Sequence, residues 1–236
     1  MIKPSARHLL ALLSIAVFFP NLATASLRRE APVSDARREA RPGTTASRDL
    51  GERAAVATTA VSDLRLALPP EVASQKLAAA TARGAALVQE GKPAVAVFDF
   101  DDTVFLDRAQ KPAPGAVEYV KAQIAVGARV VYLTGRATHE QAKTEKLLRD
   151  NGFPLGTNAV LMTNPNPKQW TALAWKKQAE PKLKAMGTVY GFFDNEPENA
   201  RQAANDFPNA AVFRLATTAN HPDPGGNQPI AVIKSF

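Results

Sequence analysis

The sequence AVAVFDFDDT occupies residues 94–103 and predicts both a strand and a reactive site. Its first five residues are apolar, as is typical of a short strand that is buried on both faces. Three aspartates then follow within four positions, and their like charges repel one another unless a cation or a bound ligand offsets them. The stretch therefore predicts a buried strand that carries a cluster of acids at its carboxyl end.

Four further apolar runs follow this strand and alternate with segments of helical pattern. The expected strands lie at 129–133, 160–162, 188–193 and 210–215. The expected helices lie at 116–126, 139–150, 171–186 (interrupted by Pro181) and 197–205, and residues 230–236 form an edge strand or a docked tail. The alternation predicts an α/β fold, a doubly wound, Rossmann-like parallel sheet with helices on both faces. Ligands bind such sheets beyond the carboxyl ends of the strands.

The composition fits one globular domain that is held together by its core alone. The chain has 236 residues, of which 45% are hydrophobic and 22% charged, and it contains no cysteine. Disulfides are therefore excluded as a source of stability. The formal net charge of +7 is small and scattered, which favours anionic substrates but predicts no stable nucleic-acid partner.

The first 25 residues have the order of a secretory signal peptide. Lys3 and Arg7 precede an apolar run at 9–19, and the small residues Ala23-Thr24-Ala25 provide a cleavage site. The apolar run is too short to span a bilayer comfortably. We therefore expect cleavage after Ala25, a mature chain without a membrane span, and a periplasmic or secreted location.

A change of composition divides the rest of the chain. Residues 26–60 are rich in Arg, Ala, Ser, Thr and Glu and have scarcely any large apolar side chain. Such a stretch buries too little surface to offset its ordering entropy, which predicts a disordered or linker arm. Residues 61–236 then form the folded domain.

Two more polar clusters follow predicted strands. Thr134-Gly135-Arg136 follows the second strand, and Asp194, with Glu198 four residues later, follows the fourth. Gly135 allows a close approach of the backbone to a ligand, and the Thr134 hydroxyl can donate to phosphate oxygens. Since the carboxyl ends of parallel strands meet at one edge, we expect all three clusters to converge there.

These clusters together resemble the motifs of the haloacid dehalogenase (HAD) superfamily. The run from Val97 to Thr103 is similar to its first motif, D-x-D-x-T, Thr134-Gly135-Arg136 to the second, and Asp194 with Glu198 to the fourth. The resemblance covers roughly residues 93–236 and is strongest to the small subclass III acid phosphatases. Glu198 departs from the aspartate that is commoner at its position.

The third motif of this superfamily is a lysine. Lys176, which follows Trp175 and precedes the fourth strand, fits best, and Lys177 and Lys182 are alternatives.

The resemblance implies a mechanism. Asp99 would be the nucleophile that forms an aspartyl-phosphate, and Asp101 would be the general acid and base. A Mg²⁺ cofactor would be held by Asp99, by Asp194 and by the backbone carbonyl of Asp101. Thr134, Gly135 and Lys176 would bind the substrate phosphate. The chain is then an exported, Mg²⁺-dependent phosphomonoesterase.

The spacing of the motifs limits the size of any cap over the site. Neither the gap at 104–129 nor the gap at 137–175 holds a full cap domain, so small or macromolecular phosphoesters could enter. A polynucleotide 3′-phosphatase is an alternative, although the export signal counts against it. A catalytically inactive phosphate-binding or interaction module is another, since a fold alone does not fix function.

Overall fold

The computed structural model describes residues 66–217 and 223–236. The predicted signal peptide (1–25) and linker arm (26–60) lie outside the described residues, and the domain predicted from residue 61 is described from residue 66. None of the helices in this described part has the length and apolar character that a membrane crossing needs.

The described chain alternates strands and helices. In chain order the elements are α1 (Pro70–Gln89), β1 (Ala94–Phe98), β2 (Phe105–Leu106), β3 (Lys111–Pro112), α2 (Ala116–Ala125), β4 (Arg129–Ala137), a 3₁₀ turn (Thr138–Glu140), α3 (Gln141–Asp150), β5 (Ala159–Asn164), α4 (Ala172–Met186), β6 (Thr188–Asp194), α5 (Pro197–Asp206), β7 (Ala211–Leu215) and β8 (Ala231–Ile233).

The main sheet has six parallel strands in the order β5-β4-β1-β6-β7-β8. This confirms the predicted α/β fold with a parallel sheet. Strand β1 lies in the middle, with β4 on one side and β6 on the other, and the chain winds outward in opposite directions from it. A crevice is expected at such a switch point, at the carboxyl end of β1.

Helices cover both faces of the sheet, as predicted. Helices α1, α2 and α3 bury apolar side chains such as Leu77, Val120 and Leu148 in one core. Helices α4 and α5 bury Leu183 and Ala203, among others, in a second core on the other face. Because β1 has neighbours on every side, all five of its residues are buried, which explains their uninterrupted apolar sequence.

The segment between β1 and α2 forms a short antiparallel hairpin, β2–β3, paired at Phe105↔Pro112 and Leu106↔Lys111. This hairpin follows the acidic cluster directly. The gap at 104–129, which was predicted to be too short for a full cap domain, is therefore filled by the hairpin and helix α2.

Two predicted elements differ from the structure in detail, whereas the C-terminal segment agrees with its prediction. Strand β4 extends to Ala137 instead of ending at 133, since it resumes pairing with β5 at Ala137↔Asn164 after an irregularity. Helix α4 continues through Pro181 without interruption, because its packed face offsets the cost of an exposed proline. Residues 230–236 provide both an edge strand, β8, and a tail in which Phe236 packs against Phe98 and Phe193.

Candidate active site

The three predicted clusters meet in one cavity of about 160 Å³ at the carboxyl ends of β1, β4 and β6. Its lining residues are Asp99, Asp101, Asp102, Gly135, Arg136, Ala172, Lys176, Asn195, Glu196 and Asn199. Four of the six residues that were predicted as the site, Asp99, Asp101, Gly135 and Lys176, belong to this lining. The other two do not: Thr134 Oγ1 lies 3.4 Å from Asp101 Oδ2, and Asp194 contacts Lys176 and Asn199.

Asp99 immediately follows β1, and its backbone N–H donates to the carbonyl of Phe193 on β6 at 2.8 Å. Its side chain is buried; Oδ1 accepts a hydrogen bond from Lys176 Nζ at 2.7 Å and Oδ2 one from Thr103 Oγ1 at 3.1 Å. Burial raises the pKa of Asp99 to about 7, an effect that Lys176 opposes and the nearby Asp194 reinforces. The carboxyl group is therefore rigidly held, and its charge is sensitive to any cation placed beside it.

Lys176 bridges two acids. Besides Asp99, its Nζ donates to Asp194 Oδ2 at 2.6 Å, and the lysine side chain is only 5% exposed. Burial opposes the charge of the ammonium group, but Asp194 and Asp99 outweigh burial and raise the pKa of Lys176. Lys176 therefore stays protonated across the physiological range and supplies a fixed positive charge beside Asp99.

The structure distinguishes the three candidate lysines by their positions. Lys176 is the one among them that contacts the predicted acids. Lys177, the next residue, pairs instead with Glu180 and Asp206. Lys182 is exposed on the same helix.

Helix α4 is fixed against β4, which places Lys176. Thr171 caps the helix by accepting from the backbone N–H of Ala174 at 3.2 Å. One turn later, Trp175 Nε1 donates to the Thr134 carbonyl at 3.0 Å. Gly135 lies against the start of the helix, where a Cβ atom would stand 2.8 Å from that of Ala172. Close approach at Gly135 thus serves the packing of the helix, although the residue also lines the cavity.

Asp101 forms an ion pair with Arg136, a residue of the second motif for which the sequence predicted no role. Arg136 Nε lies 3.0 Å from both Asp101 carboxylate oxygens, and Nη2 lies 2.6 Å from Oδ1. Thr134, predicted to bind phosphate, is fully buried. Its Oγ1 lies 3.4 Å from Asp101 Oδ2 and accepts from the backbone N–H of Arg136 at 3.1 Å.

The cluster at Asp194 differs from its prediction in which residue supports this aspartate. Asp194 Oδ1 accepts hydrogen bonds from the backbone N–H of Glu196 at 2.9 Å and from Asn199 Nδ2 at 3.1 Å. Glu198, the acid that the motif spacing selected, is not among the residues lining the cavity, whereas Asn199 is. Asn199 lies in the first turn of α5, directly after β6, and was not predicted from the sequence.

Asp102 shapes the loop after β1. It adopts a left-handed backbone conformation with φ 52°, and its carboxylate accepts from the backbone N–H of Asp107 at 3.1 Å. A non-glycine residue in this region is strained, which is frequent where a functional loop is tightly specified.

The residues that would hold a divalent cation offer the type of ligand atom that such a cation binds. In residues 66–217 and 223–236, no group of three His, Cys, Asp or Glu side chains is placed to hold a metal ion. Two buried carboxylates, those of Asp99 and Asp194, nevertheless face the single ammonium of Lys176, so the trio keeps a formal charge of −1. Carboxylate and carbonyl oxygens are the ligands that hard divalent cations prefer.

Residues 105–193 match the family described as HAD superfamily, subfamily IIIB (Acid phosphatase). The matched stretch contains Thr134-Gly135-Arg136 and Lys176, whereas Asp99 and Asp101 precede it and Asp194 follows it directly. This match confirms the resemblance that the motifs predicted, and it confirms that the chain is an enzyme of the phosphatase class. No curated protein sequence matches the chain.

Several solved structures are similar in fold at low identity. A chain of the Pnkp1/Rnl/Hen1 complex is 15% identical with a TM-score of 0.42, and the match covers 61% of this chain and 47% of that one, about half its length. The class C acid phosphatase from Bacillus anthracis is 16% identical with a TM-score of 0.41, covering 72% and 85%. Its tungstate-bound form is 18% identical with a TM-score of 0.40 over the same shares.

Proposed function

We propose that this chain, a phosphatase of the haloacid dehalogenase superfamily, is an exported, Mg²⁺-dependent phosphomonoesterase in which Asp99 attacks phosphorus and Asp101 handles the proton. The observation that carries the proposal is the setting of Asp99. Its carboxylate is held between Lys176 and Thr103 at the edge of the cavity, with Asp101 two residues further along. A fixed nucleophile beside a fixed cation suits attack on an anionic phosphoester.

The reaction proceeds in two displacements. In the first, an Asp99 oxygen forms a bond to phosphorus as the ester P–O bond breaks, and the leaving oxygen takes a proton from Asp101. In the second, water gives a proton to Asp101 and attacks phosphorus, which releases inorganic phosphate and restores Asp99. The positive charge of Lys176, which is held beside Asp99, stabilises the negative charge that gathers on the phosphoryl oxygens.

The proposed Mg²⁺ would be held by the carboxylates of Asp99 and Asp194 and by the backbone carbonyl of Asp101. When bound, it would neutralise charge on the transferred group and orient it. Asn199 and the Glu196 N–H already fix Asp194 through its Oδ1 atom. These two donors orient Asp194 without the metal, which is the role of residues that support metal ligands.

The test is hydrolysis of p-nitrophenyl phosphate by the full chain with Mg²⁺ or with EDTA, beside Asp99→Asn. We expect turnover that needs Mg²⁺ and that is lost in the variant. Turnover that persists in Asp99→Asn would contradict the assigned nucleophile. If neither this ester nor a panel of small phosphoesters and a nicked DNA 3′-phosphate is hydrolysed while Mg²⁺ still binds, the chain is a binding module instead.

Export is proposed from the sequence pattern of residues 1–25. Expression of the full chain in a bacterial host, followed by cell fractionation and mass spectrometry of the N-terminus, tests it. A periplasmic or secreted protein that begins at Ser26 supports the proposal. A cytoplasmic protein that retains Met1 contradicts it.

A further inference from the structure

We infer that Arg136 is a positioning residue, which aims the Asp101 carboxylate at the leaving group; this inference rests on the proposed phosphatase function. The guanidinium contacts Asp101 through two nitrogens, at 3.0 Å from Nε to either oxygen and at 2.6 Å from Nη2 to Oδ1. A planar fork of this kind fixes both the position and the plane of a carboxylate, which a point charge does not do.

The surroundings of Arg136 hold it in place. Its side chain is only 15% exposed, whereas that of Asp101 is 39% exposed toward the cavity. The guanidinium carbon lies 4.7 Å from the ring centroid of Phe100, a buried residue. Cation–π contact and burial therefore restrict the arginine, and the arginine in turn restricts the acid.

A second ion pair extends the contact to the hairpin β2–β3. Arg136 Nη2 lies 3.4 Å from Asp107 Oδ1, at the turn after β2, and this aspartate is 54% exposed. The distance is long and the partner exposed, so this pair contributes little to the position of Arg136. Asp107 therefore offers a matched control, since it contacts the same nitrogen but not the reacting groups.

The functional consequence concerns the leaving group. A good leaving group departs without a proton, whereas an alkoxide needs one from Asp101 at the moment the ester bond breaks. Loss of the arginine fork frees the carboxylate to rotate, and the hydrolysis of esters with poor leaving groups then suffers most. A residue that binds the substrate phosphate would slow all phosphomonoesters alike.

The experiment compares Arg136→Gln, Arg136→Lys and Asp107→Asn in the full chain. The substrates are p-nitrophenyl phosphate and glycerol phosphate, each at saturating Mg²⁺. We expect kcat/KM for glycerol phosphate to fall at least about tenfold more than for p-nitrophenyl phosphate in both Arg136 variants, within the ~10²- to 10⁴-fold that general acid catalysis supplies. Lysine keeps the charge but not the fork, so Arg136→Lys does not rescue. Asp107→Asn leaves both rates near those of the wild type.

A double-mutant cycle with Asp101→Asn completes the test. If Arg136 acts through Asp101, Arg136→Gln has no further effect on either substrate once Asp101 is replaced. Equal losses on both substrates, a persistent loss in the Asp101→Asn background, or full rescue by lysine would overturn the inference. Absence of turnover in the wild type would overturn the proposed function and this inference with it, whereas an active wild type with unselective Arg136 variants overturns the inference alone.

Discussion

Replacing Lys176 by methionine removes the cation that two buried carboxylates share. Lys176 Nζ contacts Asp99 Oδ1 at 2.7 Å and Asp194 Oδ2 at 2.6 Å, and Asp194 is fully buried. Methionine keeps most of the volume of the side chain but provides no charge. Breaking a buried ion pair in this way costs about 3–5 kcal/mol of the free energy of unfolding. We expect a loss of that size at pH 8.

The loss should depend on pH, with a definite sign. The pKa of Asp99 is already raised from 3.8 to about 7 by burial, so at pH 5 this carboxyl is largely protonated when folded. Methionine then leaves the Asp99 carboxyl without a counter-charge chiefly at pH 8, where it is ionised, and little at pH 5. The folded state of the variant binds more protons than the unfolded state above about pH 4, so its stability falls as pH rises. We expect the loss at pH 5 to be about 1–2 kcal/mol smaller than at pH 8.

Urea unfolding of the full chain in EDTA, followed by circular dichroism at pH 5 and pH 8, measures both losses. Lys177→Met is the matched control, because Lys177 is the adjacent residue and pairs with Glu180 and Asp206 at the surface. It should change stability little at either pH. A Lys176→Met variant as stable as the wild type, or one equally destabilised at both pH values, would refute the buried bridge.

Three other substitutions test the remaining geometry. In EDTA, the free energy of unfolding of the wild type should fall by on the order of 3 kcal/mol between pH 4 and 7, because the pKa of Asp99 is raised to about 7 in the folded state. Asp99→Asn should flatten this pH dependence in the same unfolding assay, and an unchanged slope would contradict the assignment to Asp99. Gly135→Ala places a Cβ atom 2.8 Å from that of Ala172, so it should lower the free energy of unfolding, measured in urea, by about 1–3 kcal/mol. Adding Ala172→Gly to the same chain should restore most of that stability. A double variant no more stable than Gly135→Ala would contradict a clash with Ala172 as the cause. Asn199→Ala leaves the buried Asp194 without one donor, so it should weaken Mg²⁺ binding, measured by calorimetry, by about 1–3 kcal/mol. Glu198→Ala is the control and should leave the affinity unchanged. A larger loss in Glu198→Ala than in Asn199→Ala would restore the role that the motif spacing gave to Glu198.

The sequence was most informative where burial dictates residue type. The all-apolar run before Asp99 predicted the central strand with its observed bounds, because a strand enclosed on both faces tolerates no polar residue. The parallel order followed from the alternation of strands and helices. The end of β4 was predicted too early, since the polar residues Thr134 and Arg136 lie inside the extended strand, where Arg136 lines the cavity.

The sequence predicted the acids and the lysine of the site, but not the residues that support them. Lys176 was favoured over Lys177 and Lys182 by its place in the chain, but the position of the helix decides which lysine reaches Asp99. Neither the clamp of Arg136 on Asp101 nor the contact of Asn199 with Asp194 could be predicted. Both depend on how side chains from different strands and helices are oriented, and sequence spacing does not contain that information.

The most direct test of the proposed chemistry is to look for phosphate on Asp99. Asp101→Asn should slow hydrolysis of the aspartyl-phosphate, so this variant is incubated with p-nitrophenyl phosphate and Mg²⁺, quenched in acid and analysed by peptide mass spectrometry. We predict a phosphorylated peptide with the modification on Asp99, which is absent from Asp99→Asn treated in the same way. A phosphoryl group on another residue, or wild-type turnover in which no quench time reveals a phosphorylated Asp99, would contradict the proposed mechanism.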